Sequence, residues 1–438
     1  MPAPTHSFTA IAAVYFILAG APLAVAAVGH EAAGRGFWIE FAVGLGFVGF
    51  AMLGLQFALT AKFQRLSTFL GLDALLHFHR QAGLIAYGFI LLHIGILIAA
   101  SPDYAAFLDL RVDPVRALAL WAAVGALTAL VATTLWRKRL GIAYDWWRLG
   151  HAVLAALVLL IGIAHILRVG WYVDDVWKQT TWLGTTLAAA GLVAYARGWK
   201  PLVLRRRPWR VTAIHPERGQ AWTLDLEPVG HDGMSFQAGQ FAWLTLGESP
   251  FALAQHPFSL SSSATRRNPV SLTIKAMGDY TSTIHRVDPG APAYLDGPYG
   301  SFVLDDEADG MVLVAGGVGI TPIISIVRTL RDEGRCIPTL LVYGFASEDE
   351  ALFLDELAAM GAGPDFCFVP VVEHPDDGQE GETGRVGAQL LDRHLPEDRE
   401  GMRYFVCGPE PMMDVVEAHL RARGIPLERI LSERFNLA

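Results

Sequence analysis

The sequence predicts an α-helical membrane bundle of six transmembrane helices, followed by a soluble half built from an antiparallel β-barrel and an α/β unit. Three observations predict this. The 438 residues have a mean hydropathy of +0.35, with 53% hydrophobic and only 18% charged residues, too apolar for an ordinary water-soluble chain. Residues 1–200 hold 14 Lys and Arg against 9 Asp and Glu, whereas 201–438 hold 20 against 34. Long apolar runs stop near Trp199, where short alternating stretches with Gly and Pro turns begin. An acidic soluble half speaks against nucleic acid, which needs a basic surface. The three cysteines, Cys336, Cys367 and Cys407, give no disulfide framework, so that half is expected on a reducing side.

A helix crossing a bilayer needs about 20 mostly apolar residues. Segments 8–28, 37–59, 75–99, 115–135, 149–169 and 181–196 meet that pattern. Basic residues mark alternate connections: Lys62 and Arg65, then Arg137, Lys138 and Arg139, then Arg205, Arg206 and Arg207. The positive-inside rule places these in the cytoplasm, with both termini. The connections carrying Asp103, Asp109 and Asp113, or Asp174 and Asp175, then face outward. Ala24-Val25-Ala26 resembles a cleavage site. The stretch before Phe8 has no Lys or Arg, however, and the apolar run exceeds a signal-peptide core, so the first segment is read as a retained span.

Ionisable residues inside a span are expensive and point to function. The third span holds His79 and His93, the fifth His151 and His165, both 14 residues apart. Fourteen helical steps return to within about 40° of the starting direction and rise about 21 Å. Each helix therefore presents two imidazoles on one face. Because both helices run inward to outward, His79 pairs with His151 near the inside and His93 with His165 near the outside. Two facing imidazoles suit a bis-histidine haem, whose filled axial positions favour electron transfer. The competing reading is polar side chains bonding across a bundle; two matched pairs favour haem. His77 lies about 200° around the helix from His79 and points elsewhere. Arg80 and Arg168, beside the inner and outer pairs, are candidate propionate partners or snorkelling side chains.

In the soluble half, 209–216, 221–227, 240–246, 270–275 and 292–295 read as antiparallel strands of a small barrel. From Met311 the pattern becomes strand then helix, repeated, with a boundary near Glu307. Residues 311–315 form a buried strand leading into Gly316-Gly317-Val318-Gly319-Ile320-Thr321-Pro322 and an apolar helix. Glycines at such a turn let backbone approach a pyrophosphate seated on the helix N-terminus. A later strand ends at Cys407-Gly408-Pro409, on the sheet edge where ligands of open α/β sheets bind. Taken alone, Cys407 is a small buried residue. His256-Pro257-Phe258-Ser259 supplies an aromatic ring and a hydroxyl suited to a flavin, or a bend with a core Phe.

These motifs, in this order over nearly the whole chain, resemble the ferric reductase and NADPH oxidase superfamily, which joins a six-helix, two-haem membrane domain to a ferredoxin-NADP-reductase-like dehydrogenase. The resemblance implies a haem-binding domain at 1–200, an FAD-binding barrel at 201–306 and an NAD(P)H-binding α/β domain at 307–438. It implies His79, His93, His151 and His165 as ligands of two b-type haems. It puts Phe258 against the isoalloxazine, Ser259 near its reactive nitrogen, and His256 and Pro257 in the same motif. Lys275 and Gly278-Asp279-Tyr280-Thr281 resemble the following segment, with Thr281 opening a phosphate-binding helix. Gly316, Gly317, Gly319, Thr321 and Pro322 resemble the pyrophosphate loop; Cys407, Gly408 and Pro409 the nicotinamide-side motif. Glu433-Arg434-Phe435 resembles the segment that lays an aromatic ring over the flavin, here with three further residues.

Two departures stand out. Relatives selective for NADPH carry an arginine after the strand ending Val342-Tyr343-Gly344, where this chain has Phe345-Ala346-Ser347-Glu348; Arg385 is a possible substitute. Some superoxide-forming relatives carry an extra histidine one turn beyond the outer ligand of the third span, where this chain has Leu97. The resemblance implies an integral protein of a bacterial inner membrane with its dehydrogenase in the cytoplasm. Electrons pass from NADPH or NADH through FAD and the haems to oxygen or a ferric chelate outside. Delivery to a periplasmic partner protein and a nucleotide-sensing membrane protein are the alternatives.

Overall fold

In the computed structural model, residues 4–29, 34–61, 71–304, 308–361, 363–375, 381–398 and 400–435 are described. Lys62, Arg65 and the boundary residue Glu307 lie outside them. The chain divides into a helical unit over 6–63 and 74–200 and a mixed unit dominated by 201–437.

The helical unit contains α1 (Pro4–Ala27), α2 (Phe37–Thr60), α3 (Leu72–Ala100), α4 (Pro114–Trp136), α5 (Tyr144–Val169) and α6 (Val176–Ala194). Local chemistry sets several ends. Asp113 accepts from the Arg116 backbone N–H at 3.0 Å and Pro114 opens α4, while Gly170, at φ 67°, ends α5 in the left-handed region. Ile17, Trp38, Leu160 and Leu187 are 60–70% exposed, an outer surface matched to lipid and not to water. Among the described residues, five helices are long and apolar enough to cross a membrane, ending with α5. The sixth expected span differs. α6 forms, but carries Lys178 and Gln179 in its first turn and Thr180, Thr181, Thr185 and Thr186 beyond it, so it falls outside that class.

The mixed unit holds two six-stranded sheets. The first comprises β1 (Trp209–Glu217), β2 (Ala221–Pro228), β3 (Phe241–Leu246), β4 (His256–Ser259), β5 (Val270–Lys275) and β6 (Pro292–Tyr299). All its pairings are antiparallel, in the order β4-β3-β6-β1-β2-β5, around a core of Val211, Leu224, Leu244 and Leu272. The expected barrel is not established: the two edges meet at one bridge, Leu260 with Leu272.

The second sheet is fully parallel, in the order β10-β9-β8-β7-β11-β12. Its strands are β7 (Gly310–Gly316), β8 (Thr339–Phe345), β9 (Phe366–Val372), β10 (Glu382–Thr383), β11 (Met402–Cys407) and β12 (Ile430–Glu433). After a short α7 (Lys200–Leu204), the remaining helices are α8 (Ile320–Glu333), α9 (Leu354–Met360), α10 (Ala388–His394) and α11 (Glu410–Ala422). The strand period of two is visible along β7. Met311, Leu313 and Ala315 pack with α8, whereas Val312 and Val314 pack with α10 and α11. Helices thus cover both faces, as a parallel sheet requires. Arg328 and Ser325 of α8 bond the Ser261 and Ser262 carbonyls, each at 2.7 Å, tying the sheets together.

Candidate functional site

In the helical unit the four histidines occupy α3 and α5 as the spacing requires. The His79 and His151 rings lie 6.2 Å apart, centroid to centroid, at 50° to each other. His93 and His165 line one cavity of about 200 Å³ with Phe50, Leu127 and Gly162. His77 is exposed, in keeping with its expected direction. Two of the imidazoles are oriented from outside the pairs. His93 Nδ1 lies 2.8 Å from the Ala42 carbonyl, which only accepts, so Nδ1 carries the proton. Gly46 makes that approach possible: a Cβ there would sit 2.7 Å from His93 Nδ1. His151 Nδ1 lies 3.3 Å from Thr134 Oγ1, whose own proton goes to the Leu130 carbonyl at 2.7 Å. The imidazole is again the donor. His79 Nδ1 is buried without a hydrogen-bond partner.

Arg80 is exposed, and Arg168 is engaged by Asp113 at 2.6 Å. Hydrogen bonding from the Arg116 backbone N–H, then the nearby Arg168 and Arg116 charges, holds the Asp113 carboxyl below its usual range. Sequence reading missed Arg35. It lines the cavity of His93 and His165, as Leu97 does, stacks over Trp171 at 4.8 Å and bonds Glu40 and Tyr104. A lone Arg just before α2 gives little signal in a sequence. Among the described residues no three His, Cys, Asp or Glu side chains converge as they would around a bare metal ion.

In the antiparallel sheet, His256-Pro257-Phe258-Ser259 is itself the edge strand β4, paired with β3 from Phe241↔Ser259 to Leu244↔His256. A proline is tolerated there because an edge strand has an unpaired side. The His256 ring stacks on Tyr280 at 4.0 Å, and Phe258 lies nearly parallel to Tyr280 at 6.4 Å. Ser259 is 3% exposed, with its hydroxyl unpartnered. Lys275 is paired with Glu350 at 2.8 Å. Thr281 opens a six-residue 3-10 helix, not an α-helix, and its hydroxyl accepts from the Met277 and Gly278 N–H groups at 2.9 Å each.

In the parallel sheet, Gly316 ends β7, a 3-10 turn spans Gly317–Gly319, and α8 follows. Gly316, Gly319 and Gly408 are consumed by packing between this loop and the Cys407-Gly408-Pro409 segment. A Cβ on Gly316 would meet Pro409 at 2.7 Å, and one on Gly319 would meet the Gly408 nitrogen at 2.7 Å. Gly317, at φ 52°, faces open space. The Tyr343 hydroxyl donates to the Gly317 carbonyl at 3.2 Å and accepts from Leu352 N–H. Burial pushes that phenol above its usual range, so it remains a donor. Thr321 and Pro322 are buried at the start of α8, and the Thr321 hydroxyl donates to the Val318 carbonyl at 3.0 Å. Cys407 is fully buried and packs in the sheet core. It lies beside Glu433 in the β11–β12 register. Arg434 is gripped by Asp414 at 2.8 Å and Glu417 at 2.9 Å, and Phe435 next to it is 40% exposed.

Residues 45–162 match the family described as "Ferric reductase like transmembrane component", and residues 313–418 match "Oxidoreductase NAD-binding domain". Among curated proteins, the propane 2-monooxygenase reductase component of Mycolicibacterium smegmatis is 27% identical over 52% of this chain and 66% of its own length. NADH oxidoreductase HCR of Escherichia coli is 28% identical over 52% and 68%, and sulfhydrogenase 2 subunit gamma of Pyrococcus furiosus is 31% identical over 45% and 72%. The chain spans just under two thirds of the length of the first of these. The fold and these matches define the class: a ferric-reductase-like membrane domain joined to an oxidoreductase domain of the ferredoxin-reductase type. The chain belongs to the ferric reductase and NADPH oxidase superfamily.

Proposed function

We propose that the chain is a transmembrane oxidoreductase moving electrons from cytoplasmic NADH or NADPH to an acceptor, oxygen or a ferric chelate, on the outer face of a bacterial inner membrane. The observation that carries this reading is the pair of imidazole pairs. Taking about 2 Å for each metal–imidazole bond, two rings that held one metal between them would have centres roughly 6 Å apart, and His79 and His151 stand at 6.2 Å. A pair serving only as polar glue would bond directly or to a shared partner, whereas the buried His79 Nδ1 has none. His79 and His151 would hold the inner haem b, and His93 and His165 the outer one. The bonds from His93 Nδ1 and His151 Nδ1 leave Nε2 as the nitrogen with the lone pair, the form a metal needs.

FAD, when bound, takes the electron pair of a hydride, and haem iron handles electrons singly. The residues of the chain orient and shield these groups. Phe258 and Tyr280 offer aromatic faces to a flavin, and Ser259 offers a hydroxyl that has no other use. Gly317 leaves room for a pyrophosphate over the start of α8, beside Cys407-Gly408-Pro409. We assign α6 as the sixth span: its 19 residues, at about 1.5 Å each, reach roughly 28 Å, near the thickness of a bilayer core.

Full-length protein in proteoliposomes tests this. A reduced-minus-oxidised spectrum of two b-type haems is expected, with NADH or NADPH driving reduction of an acceptor confined to the opposite side. A superoxide-dismutase-sensitive dye and a ferric chelate, assayed in parallel, identify the acceptor. His79→Leu should lose one haem and the transmembrane flux. A haem-free spectrum, or full flux in His79→Leu, would overturn the proposal.

A further inference from the structure

We infer that Glu373 makes the nucleotide site select NADH over NADPH. The inference rests on the dehydrogenase reading above and names its substrate. In a wound parallel sheet a dinucleotide lies across the carboxyl ends of the strands, with its adenosine ribose beside the end of the strand next to the glycine turn. An acid there bonds the ribose hydroxyls of NADH, and an arginine there binds the 2′-phosphate of NADPH. In this chain β7 carries the turn, so the end of β8 is the place in question; Ala346-Ser347 supplies neither group, and the acids that follow, Glu348, Asp349 and Glu350, lie in a 3-10 turn whose Glu350 is already paired with Lys275.

The charge arrives from the neighbouring strands. The Glu373 N–H, just past β9, donates to the Phe345 carbonyl at 2.9 Å, and the His374 N–H donates to the Ala346 carbonyl at 2.8 Å. Glu373 is thereby anchored against the last residue of β8. Past β10, the Gly384 N–H donates to the Val372 carbonyl at 2.8 Å, which brings Arg385 to the same end. Arg385 is the arginine that could have served a 2′-phosphate, and its Nε bonds Glu373 Oε1 at 2.6 Å. One carboxylate therefore does two things. It holds the nearby guanidinium in an ion pair, leaving no free cation for the 2′-phosphate of NADPH, and it offers that phosphate only acceptor oxygens. Toward NADH the same oxygens accept from ribose hydroxyls. The Arg385 side chain is 85% exposed, so the pair contributes little to folding and can be altered without unfolding the domain.

Flavin reduction by NADH and by NADPH, followed by rapid mixing in the solubilised full-length protein with its FAD content measured, tests this. The natural chain should favour NADH. Glu373→Gln should move the NADH/NADPH ratio of kcat/KM toward NADPH by about tenfold or more, the scale of removing one like charge from a contact. The change should fall mainly in KM. Adding Arg385→Gln to that variant should return much of the NADPH gain, because the freed guanidinium is what binds the phosphate. A natural chain that favours NADPH, or a Glu373→Gln ratio equal to that of the natural chain, would overturn the inference while leaving the dehydrogenase reading intact. Flavin reduced by neither nucleotide would overturn both.

Discussion

Replacing Gly319 by alanine tests whether the glycine turn and the Cys407-Gly408 segment work as one rigid body. Gly319 has φ −62°, so alanine meets no backbone strain; the obstacle is space alone. An added Cβ would lie 2.5 Å from the Cys407 carbonyl carbon and 2.7 Å from the Gly408 nitrogen, with the Cys407 oxygen closer still. These are backbone atoms of a buried strand end, so no side chain can swing away. An ordinary contact of about 3.4 Å requires the two loops to part by nearly 1 Å. Overpacking of this kind costs about 1–3 kcal/mol of stability. A misplacement of about 1 Å can slow a positioned reaction on the order of a hundredfold. Gly334→Ala, at the far end of α8, is the internal control: it meets open space and carries only the strain of φ 65°, about 1–2 kcal/mol. Thermal melts and rapid-mixing flavin reduction should therefore show Gly319→Ala as the more damaging change, above all in the rate of flavin reduction. Equal stability with reduction within twofold of the natural rate, or a worse defect in Gly334→Ala, would refute the reasoning.

Three further outcomes are expected. Thr134→Val keeps the shape but removes the acceptor of His151 Nδ1–H, and should weaken retention of one haem by about 10–100-fold and shift its low-spin EPR signal; an unchanged haem content and spectrum would dismiss the role. Gly162→Ala places a Cβ 2.8 Å from Phe50 Cδ2, and Phe50 is itself backed by Trp182 at 5.7 Å, so the cavity shared by His93 and His165 should close. Haem analysis should then find one haem per chain, and two would contradict it. Burial pushes the Glu356 carboxyl upward, but hydrogen bonds and charge from Arg328, then Arg331, outweigh it and set its folded pKa below 4.5. A depressed folded pKa gives stability that is present above the unfolded value and is lost as pH falls through the folded one. Melts between pH 7 and pH 3 should therefore lose stability below about 4.5 in the natural chain, and less so in Glu356→Gln; parallel acid slopes would rule this out.

Much of the architecture was legible because it rests on periodicity. The five most apolar helices were expected to within a few residues, since long apolar runs have few other uses. The parallel sheet was readable from β7, where buried residues lead directly into glycines. His256–Ser259 is the edge strand β4, which the sequence does not announce: a four-residue strand containing Pro257 has too short a run to show alternation. Thr281 was expected to open a phosphate-binding helix, but the local turn gives its hydroxyl two N–H donors first. Arg168, Lys275 and Arg385 are each engaged by a carboxylate, Asp113, Glu350 and Glu373, separated by 55, 75 and 12 residues. A sequence displays the charge of a side chain but not which distant partner the fold brings to it.

The histidine pairs show how far spacing alone carries a functional reading, and where geometry must take over. A separation of 14 residues establishes that two imidazoles share a helix face; it says nothing of which ring nitrogen points inward. That choice is made by residues with no motif of their own. Gly46 admits the His93 ring to the Ala42 carbonyl, and Thr134, having spent its proton on Leu130, can only accept from His151. Both arrangements place the proton on Nδ1. A hydrogen bond across the bundle would select the tautomer equally, so the bonds by themselves do not choose between a haem and polar glue; what they do is leave the lone pair on Nε2 of both rings, the form that the proposed haem sites need.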